Sequence, residues 1–160
     1  MEFRKMRRWK QQITEEECKE VLQAEKRGVL ATAGGEGYPY ALPINFYFDE
    51  ESGRIYFHCA KAGHKIDALA RENRVSFCVF EKEGYVKEGD WSYNVRSVIA
   101  FGRISIMTPS ARRDTMLLHL AERFYPDAAS AQAELEKDGA RCHVLEMVVD
   151  HMTGKLVNES

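Results

Sequence analysis

From Tyr38 to Phe48 the chain alternates in character: Leu42, Ile44, Phe46 and Phe48 fall on one face, and Pro43, Asn45 and Tyr47 on the other. A period of two marks a β-strand, and the uniformly apolar set assigns the face that turns toward a core. Arg54 to Ala60 repeats the pattern, with Ile55, Phe57 and Cys59 together and Tyr56, His58 and Ala60 opposite. Strand character recurs at Gly28 to Ala33, Arg74 to Phe80, Val95 to Met107 and Arg141 to His151. The glycine-rich run Gly34 to Gly37 and the acidic turn Asp49 to Gly53 separate the early strands into hairpins.

Helical signals lie between and around these runs. Thr14 followed by Glu17 is a capping-box pattern opening an amphipathic helix with Cys18, Val21, Leu22 and Ala24, which is expected to end near Gly28. Gly63 opens a helix through about Arg71, with Ile66, Leu69 and Ala70 as its apolar stripe. Thr108 before Pro109 starts a helix over Ser110 to Phe124, and Pro126 separates it from another near Ala128 to Lys137. Glu81 to Asp90 reads as a charged loop leading into Trp91, Ser92 and Tyr93. About six strands with short hairpins and four peripheral helices predict a mainly β fold, an antiparallel barrel rather than alternating βαβ units.

At 160 residues, with no internal repeat or linker, the chain reads as a single domain over 1–160, its first 12 residues a basic arm. A composition 44% hydrophobic and 30% charged matches an ordinary soluble protein. Apolar runs are only strand-length and the N-terminus is polar and basic, so neither a spanning helix nor a secretory signal is expected, and a cytoplasmic location is. The net charge of −2 gives no global pull toward nucleic acid. Arg4, Lys5, Arg7, Arg8 and Lys10 around Trp9 form the arm, read as a solvated tail or as a strap over a dimer partner or anionic ligand.

Four cysteines without a Cys-x-x-Cys pair fit reduced thiols. Metal binding is not expected: His58 with Cys59, and Cys142 with His143, are neighbours on strands and point to opposite faces.

An outward face carrying Asn45 and His58 beside small or rigid residues can accept a flat ligand, with backbone groups serving its polar edge. The same face can equally be a dimer interface, and the two readings can coexist. Lys61-Ala62-Gly63-His64-Lys65 follows at once, placing two lysines and a histidine around a glycine at a helix N-terminus. Uncapped N–H groups and the positive helix end favour phosphate, and Gly63 permits close approach. Lysines at a helix start are also common on solvated surfaces, and no Walker loop or Rossmann turn is present.

The segment from Tyr56 to Asp67 resembles the signature of the flavin mononucleotide (FMN)-binding split β-barrel family, the pyridoxamine 5'-phosphate oxidase-like proteins. Met6-Arg7-Arg8, Gly37 to Tyr40, Leu42 to Phe46, Arg96 to Arg103 and His151 to Lys155 are similar to the family's flanking motifs. The resemblance implies a homodimer with FMN at the subunit interface. Pro43, Ile44 and Asn45 would border the isoalloxazine ring with His58, Cys59 and Ala60. Gly63, His64 and Lys65, with Lys61, would hold the phosphate, and Tyr93, Arg96, Ser97 and Val98 would reach the flavin of the other subunit.

The arginine and histidine set that would receive a second phosphate-bearing substrate is missing near the C-terminus, which disfavours vitamin B6 oxidation. The chain is more similar to the nitroimidazole-resistance branch, implying an oxidoreductase that passes electrons from reduced FMN to a nitro group. His58 is the catalytic candidate, with a hydrogen-bonded structural histidine as its other reading. A non-catalytic module that binds flavin or haem is the competing class, and a deazaflavin cofactor is a third reading.

Overall fold

The computed structural model describes residues 2–89 and 92–159. Among them the elements follow as β1 (Gln12–Ile13), α1 (Glu15–Ala24), β2 (Arg27–Ala33), β3 (Pro39–Asp49), β4 (Arg54–Ala60) and α2 (His64–Arg71). There follow β5 (Arg74–Phe80), β6 (Tyr85–Val86), β7 (Tyr93–Ile106), α3 (Ala111–Glu122), α4 (Ala128–Asp138) and β8 (Cys142–Glu159). Neighbouring strands pair antiparallel, and the path β2-β3-β4-β8-β7-β5 returns to β2, so six strands close a hydrogen-bonded ring. This is the mainly β antiparallel barrel of about six strands that the alternation predicts, and the split β-barrel that the resemblance implies, with β1 and β6 added to β8 and β7.

Closure turns the apolar face of each strand into one interior. Leu30, Phe46, Ile55, Phe57, Val79 and Leu145 are fully buried there. Phe77 meets both Phe46 and Phe57 edge to face, each with 5.0 Å between ring centroids. That geometry sets the positive ring edge against the negative ring face.

Gly28 belongs to this cluster. Helix α1 ends at Ala24, earlier than expected, and Gly28 lies inside β2 opposite Ile44. A Cβ there would stand 2.5 Å from the Phe77 ring, so the glycine makes room for the aromatic and does not stop the helix. The capping box forms as predicted, Thr14 Oγ1 accepting from the Glu17 amide at 3.2 Å and Glu17 accepting from the Thr14 amide at 2.7 Å.

Three other expectations are revised. The charged loop after Glu81 contains β6, whose Tyr85 and Val86 pair with Asn94 and Tyr93; Asp90 and Trp91 lie outside the described residues. The last strand runs past His151 to Glu159, with a bulge where Phe101 faces His151 but Gly102 faces Val149. The extra residue bends the strand and increases its local twist. The arm is docked rather than a free tail: Phe3 stacks on His151 at 4.4 Å, and Gln12 and Ile13 pair with Lys155 and Gly154. Its basic side chains at 4, 5, 7, 8 and 10 are exposed.

The helical hairpin α3–α4 covers part of the barrel's outside. Tyr56 and Val144, on the outward faces of β4 and β8, are fully buried against Leu117 and Leu120. Arg113 fastens the hairpin by donating to the carbonyls of Gly139 at 2.6 Å and Cys142 at 2.8 Å. Arg123 donates to the carbonyls of Gln23 and Glu25 at the end of α1. No helix among the described residues is long and apolar enough to cross a membrane.

Candidate functional site

The β3–β4 ladder pairs Asp49 with Arg54 up to Phe46 with Phe57 and ends there. Beyond that point β3 keeps its bonds to β2 and β4 keeps its bonds to β8, so the two strands part where Asn45 and His58 stand. Backbone groups along Pro43 to Asn45 and His58 to Ala60 thus face a cleft in the wall rather than each other. Backbone groups that lack strand partners there can be paired by a ligand with a polar rim.

Side-chain direction divides the residues expected at this cleft. Ile44 and Cys59 are each 8% exposed and point into the barrel, so they can offer only backbone atoms. Pro43, His58 and Ala60 are exposed on the outer face, and Asn45 is half-buried there, its amide oxygen accepting from Arg27 Nε at 3.1 Å. Neither nitrogen of His58 has a hydrogen-bond partner among the described residues, so the structural reading of this histidine finds no support in the geometry. Loss of water around the ring, with the Lys65 charge second, holds the imidazole below its ordinary pKa and therefore neutral at pH 7.

Asn45 and His58 share a groove of ≈ 280 Å³ with Leu117 and Leu120 of α3, Phe124 just beyond its end and Leu135 of α4. These residues of the helical hairpin were not expected at the site. The only sequence signal for them was the apolar spacing of Met116, Leu117 and Leu120, which fixes a buried face but not the surface it meets.

The start of α2 has an unusual backbone. Gly63 sits at φ +123°, ψ 172°, a conformation essentially reserved for glycine, with open space where a Cβ would stand. It offers no side-chain cap, and its carbonyl takes the amides of Ile66 and Asp67, leaving those of His64 and Lys65 free of helix partners. Lys61 and Lys65 form no ion pair among the described residues. The His64 ring stacks on Tyr40 with 4.0 Å between centroids. Open amides, unpaired positive charge and room above a glycine fit a phosphate group, and the cleft alongside fits a flat ring.

The remaining expected residues lie elsewhere on the ring. Tyr93, Arg96, Ser97 and Val98 are on β7, separated from β4 by β8 and from β3 by β5 and β2. Tyr93 accepts from the Gly84 amide at 2.6 Å, and Val98 is buried in the interior. Arg96 is committed to Glu20 and Glu81, each at 2.8 Å. Within one chain, therefore, this set does not meet the cleft.

A family model described as pyridoxamine 5'-phosphate oxidase matches residues 14–156. Over 60 residues the chain is 38% identical to a 5a,11a-dehydrotetracycline/5a,11a-dehydrooxytetracycline reductase of Streptomyces rimosus, a match spanning 36% of this chain and 42% of that relative's length. A solved Bacteroides thetaiotaomicron protein assigned to 5-nitroimidazole antibiotic resistance is 19% identical, with a TM-score of 0.75 over 92% of this chain and 87% of that one. The FAD and heme binding protein of Mycobacterium smegmatis is 24% identical, with a TM-score of 0.73 over 91% of this chain and 73% of that one. At these identities the two structures establish a shared fold.

Proposed function

We propose, from the premise that this chain belongs to the pyridoxamine 5'-phosphate oxidase family, that it is a flavin-dependent oxidoreductase using FMN and acting as a homodimer on nitroaromatic compounds. The observation that carries this reading is the junction of two features: a cleft where β3 and β4 part, and an uncapped helix start with two uncompensated lysines directly after it. The relatives that bind FAD and haem, resist 5-nitroimidazoles or reduce a dehydrotetracycline support a redox cofactor in this fold.

When bound, a reduced flavin would supply the two electrons which, with two protons, convert R–NO2 to R–N=O and water, a reduced nicotinamide being the source of those electrons. The chain's own residues would position and exclude. The amides of His64 and Lys65 with the lysine charges would hold the phosphate, and the backbone from Pro43 to Asn45 and from His58 to Ala60 would meet the ring edge. His58, neutral and unpartnered, presents a ring nitrogen to whatever lies beside the flavin. The β7 segment from Tyr93 to Val98 of one subunit reaches the site of the other, Arg96 arriving already paired.

The absorption spectrum of the freshly purified protein tests this, with mass identification of what denaturation releases. Flavin bands and released FMN are expected, bleached by reduced nicotinamide and restored faster by nitroimidazoles than by buffer. A colourless protein that ignores added FMN, or a Soret band with no flavin, overturns it.

A further inference from the structure

The groove beside the cleft has a composition of its own. Its lining is largely aliphatic and aromatic, from Leu117, Leu120, Phe124 and Leu135, and among the described residues contains no lysine or arginine. Asn45 and His58 join it from the barrel strands β3 and β4. Tyr125, 39% exposed, joins it with Glu134 and Asp138 of α4. Asp138 is neutralised by Arg141 at 2.7 Å, whereas Glu134 forms no ion pair among the described residues.

We infer that this groove is the acceptor subsite, built for uncharged aromatic compounds of one or two rings that lie between α3 and the barrel with a polar substituent toward His58. The inference rests on the flavin reading above and names the substrate class of that same site. Its size follows from the volume of ≈ 280 Å³. That lies just under the roughly 300–1,000 Å³ of pockets that enclose drug-sized ligands. A four-ring substrate, such as the one named for the Streptomyces rimosus relative, exceeds it.

The charge preference follows from the lining. An anionic ligand would meet the Glu134 carboxylate and aliphatic walls with no lysine or arginine among the lining residues, losing water without a direct counter-charge there. A neutral ring loses little water and gains apolar contact on both faces, while His58 and Asn45 serve its substituent. The flavin cleft opens on the same two residues, so a ring seated here is next to the cofactor position.

Holoprotein carrying methyl-labelled leucine is titrated with benzamide and, separately, with benzoate, neither of which is reduced. Benzamide is expected to shift the methyl signals of Leu117, Leu120 and Leu135 saturably, with benzoate at least about tenfold weaker. Ala121 of α3 also lines the groove, and in Ala121→Trp, which fills it, the shifts are expected to vanish while flavin content stays at the wild-type level. Should that variant fail to fold, Phe124→Ala at the partly exposed rim is expected to weaken benzamide about tenfold with flavin retained. Unmoved methyl signals, equal affinity for benzoate, or expulsion of flavin by Ala121→Trp each overturn the subsite, the last by assigning the groove to the flavin itself. A wild-type protein without flavin overturns the underlying reading as well, and its spectrum shows this before any probe is added.

Discussion

The Tyr40 ring lies 4.0 Å from the imidazole of His64, nearly parallel to it, at the first residue of helix α2. The stack ties β3 to the helix start and occupies the histidine's face. In the proposed reading His64 would therefore serve a phosphate through its backbone amide, and the neighbouring Lys65 would supply the charge.

The first prediction separates these roles. Lys65→Ala removes a charged hydrogen bond worth about 1.5–3 kcal/mol, so FMN affinity is expected to fall about ten- to a hundredfold. His64→Ala keeps the amide and is expected to weaken FMN less than Lys65→Ala does. Fluorescence titration of both variants with FMN checks the order, and a larger loss in His64→Ala would reverse the assignment.

Gly63 permits a second test. At φ +123° a Cβ is disfavoured by backbone geometry alone, since no neighbouring atom lies within 4 Å of it. Gly63→Ala is expected to cost about 1–3 kcal/mol in thermal stability and to disturb phosphate binding in the same variant. A variant with wild-type melting temperature and wild-type FMN affinity would show that this conformation is dispensable.

His58 gives a third. Its imidazole is held down first by loss of water and then by the Lys65 charge. Its NMR titration midpoint is expected below the ordinary value of about 6.5 and should move upward in Lys65→Ala. With the folded value depressed, the unfolded chain takes up this proton first as pH falls, so the group's contribution to stability declines through that interval. A midpoint unchanged by Lys65→Ala would remove the lysine from the histidine's surroundings.

Glu146 supplies a prediction on stability. Burial works to raise its carboxyl, yet hydrogen bonds from Arg54 at 2.9 Å and Tyr56 at 2.9 Å, with Arg112 at 2.6 Å, carry it below its ordinary value. A depressed carboxylate contributes stability above its unfolded value and loses that contribution as pH falls through the folded one. Glu146→Gln is expected to lower unfolding stability by about 1–3 kcal/mol at neutral pH, the gap to wild type closing on acidification. Urea midpoints across that range measure it, and a gap independent of pH would contradict the charge-based account.

Much of this was legible in the sequence because period two is a local signal. Ile44, Phe46 and Phe48 announced the barrel interior, and Asn45 and His58 its outer face. Other features depend on distant chain. Tyr56 shares the outward face of His58 but is buried, because a helical hairpin more than fifty residues later packs over it. The final strand continues beyond the expected His151 through Thr153, Gly154 and Lys155. Gly154 is needed there because a Cβ would stand 2.4 Å from Cys18 on helix α1. The parting of β3 from β4 is a property of paired backbones and left no mark in the composition of either strand.

The central claim, a flavin phosphate seated at the start of α2, is tested most directly by titrating deflavinated protein with FMN and with riboflavin, which differ only in that phosphate. FMN is expected to bind at least about a hundredfold more tightly, a gap that should shrink in Lys65→Ala. Equal affinities for the two in the wild-type protein would contradict it.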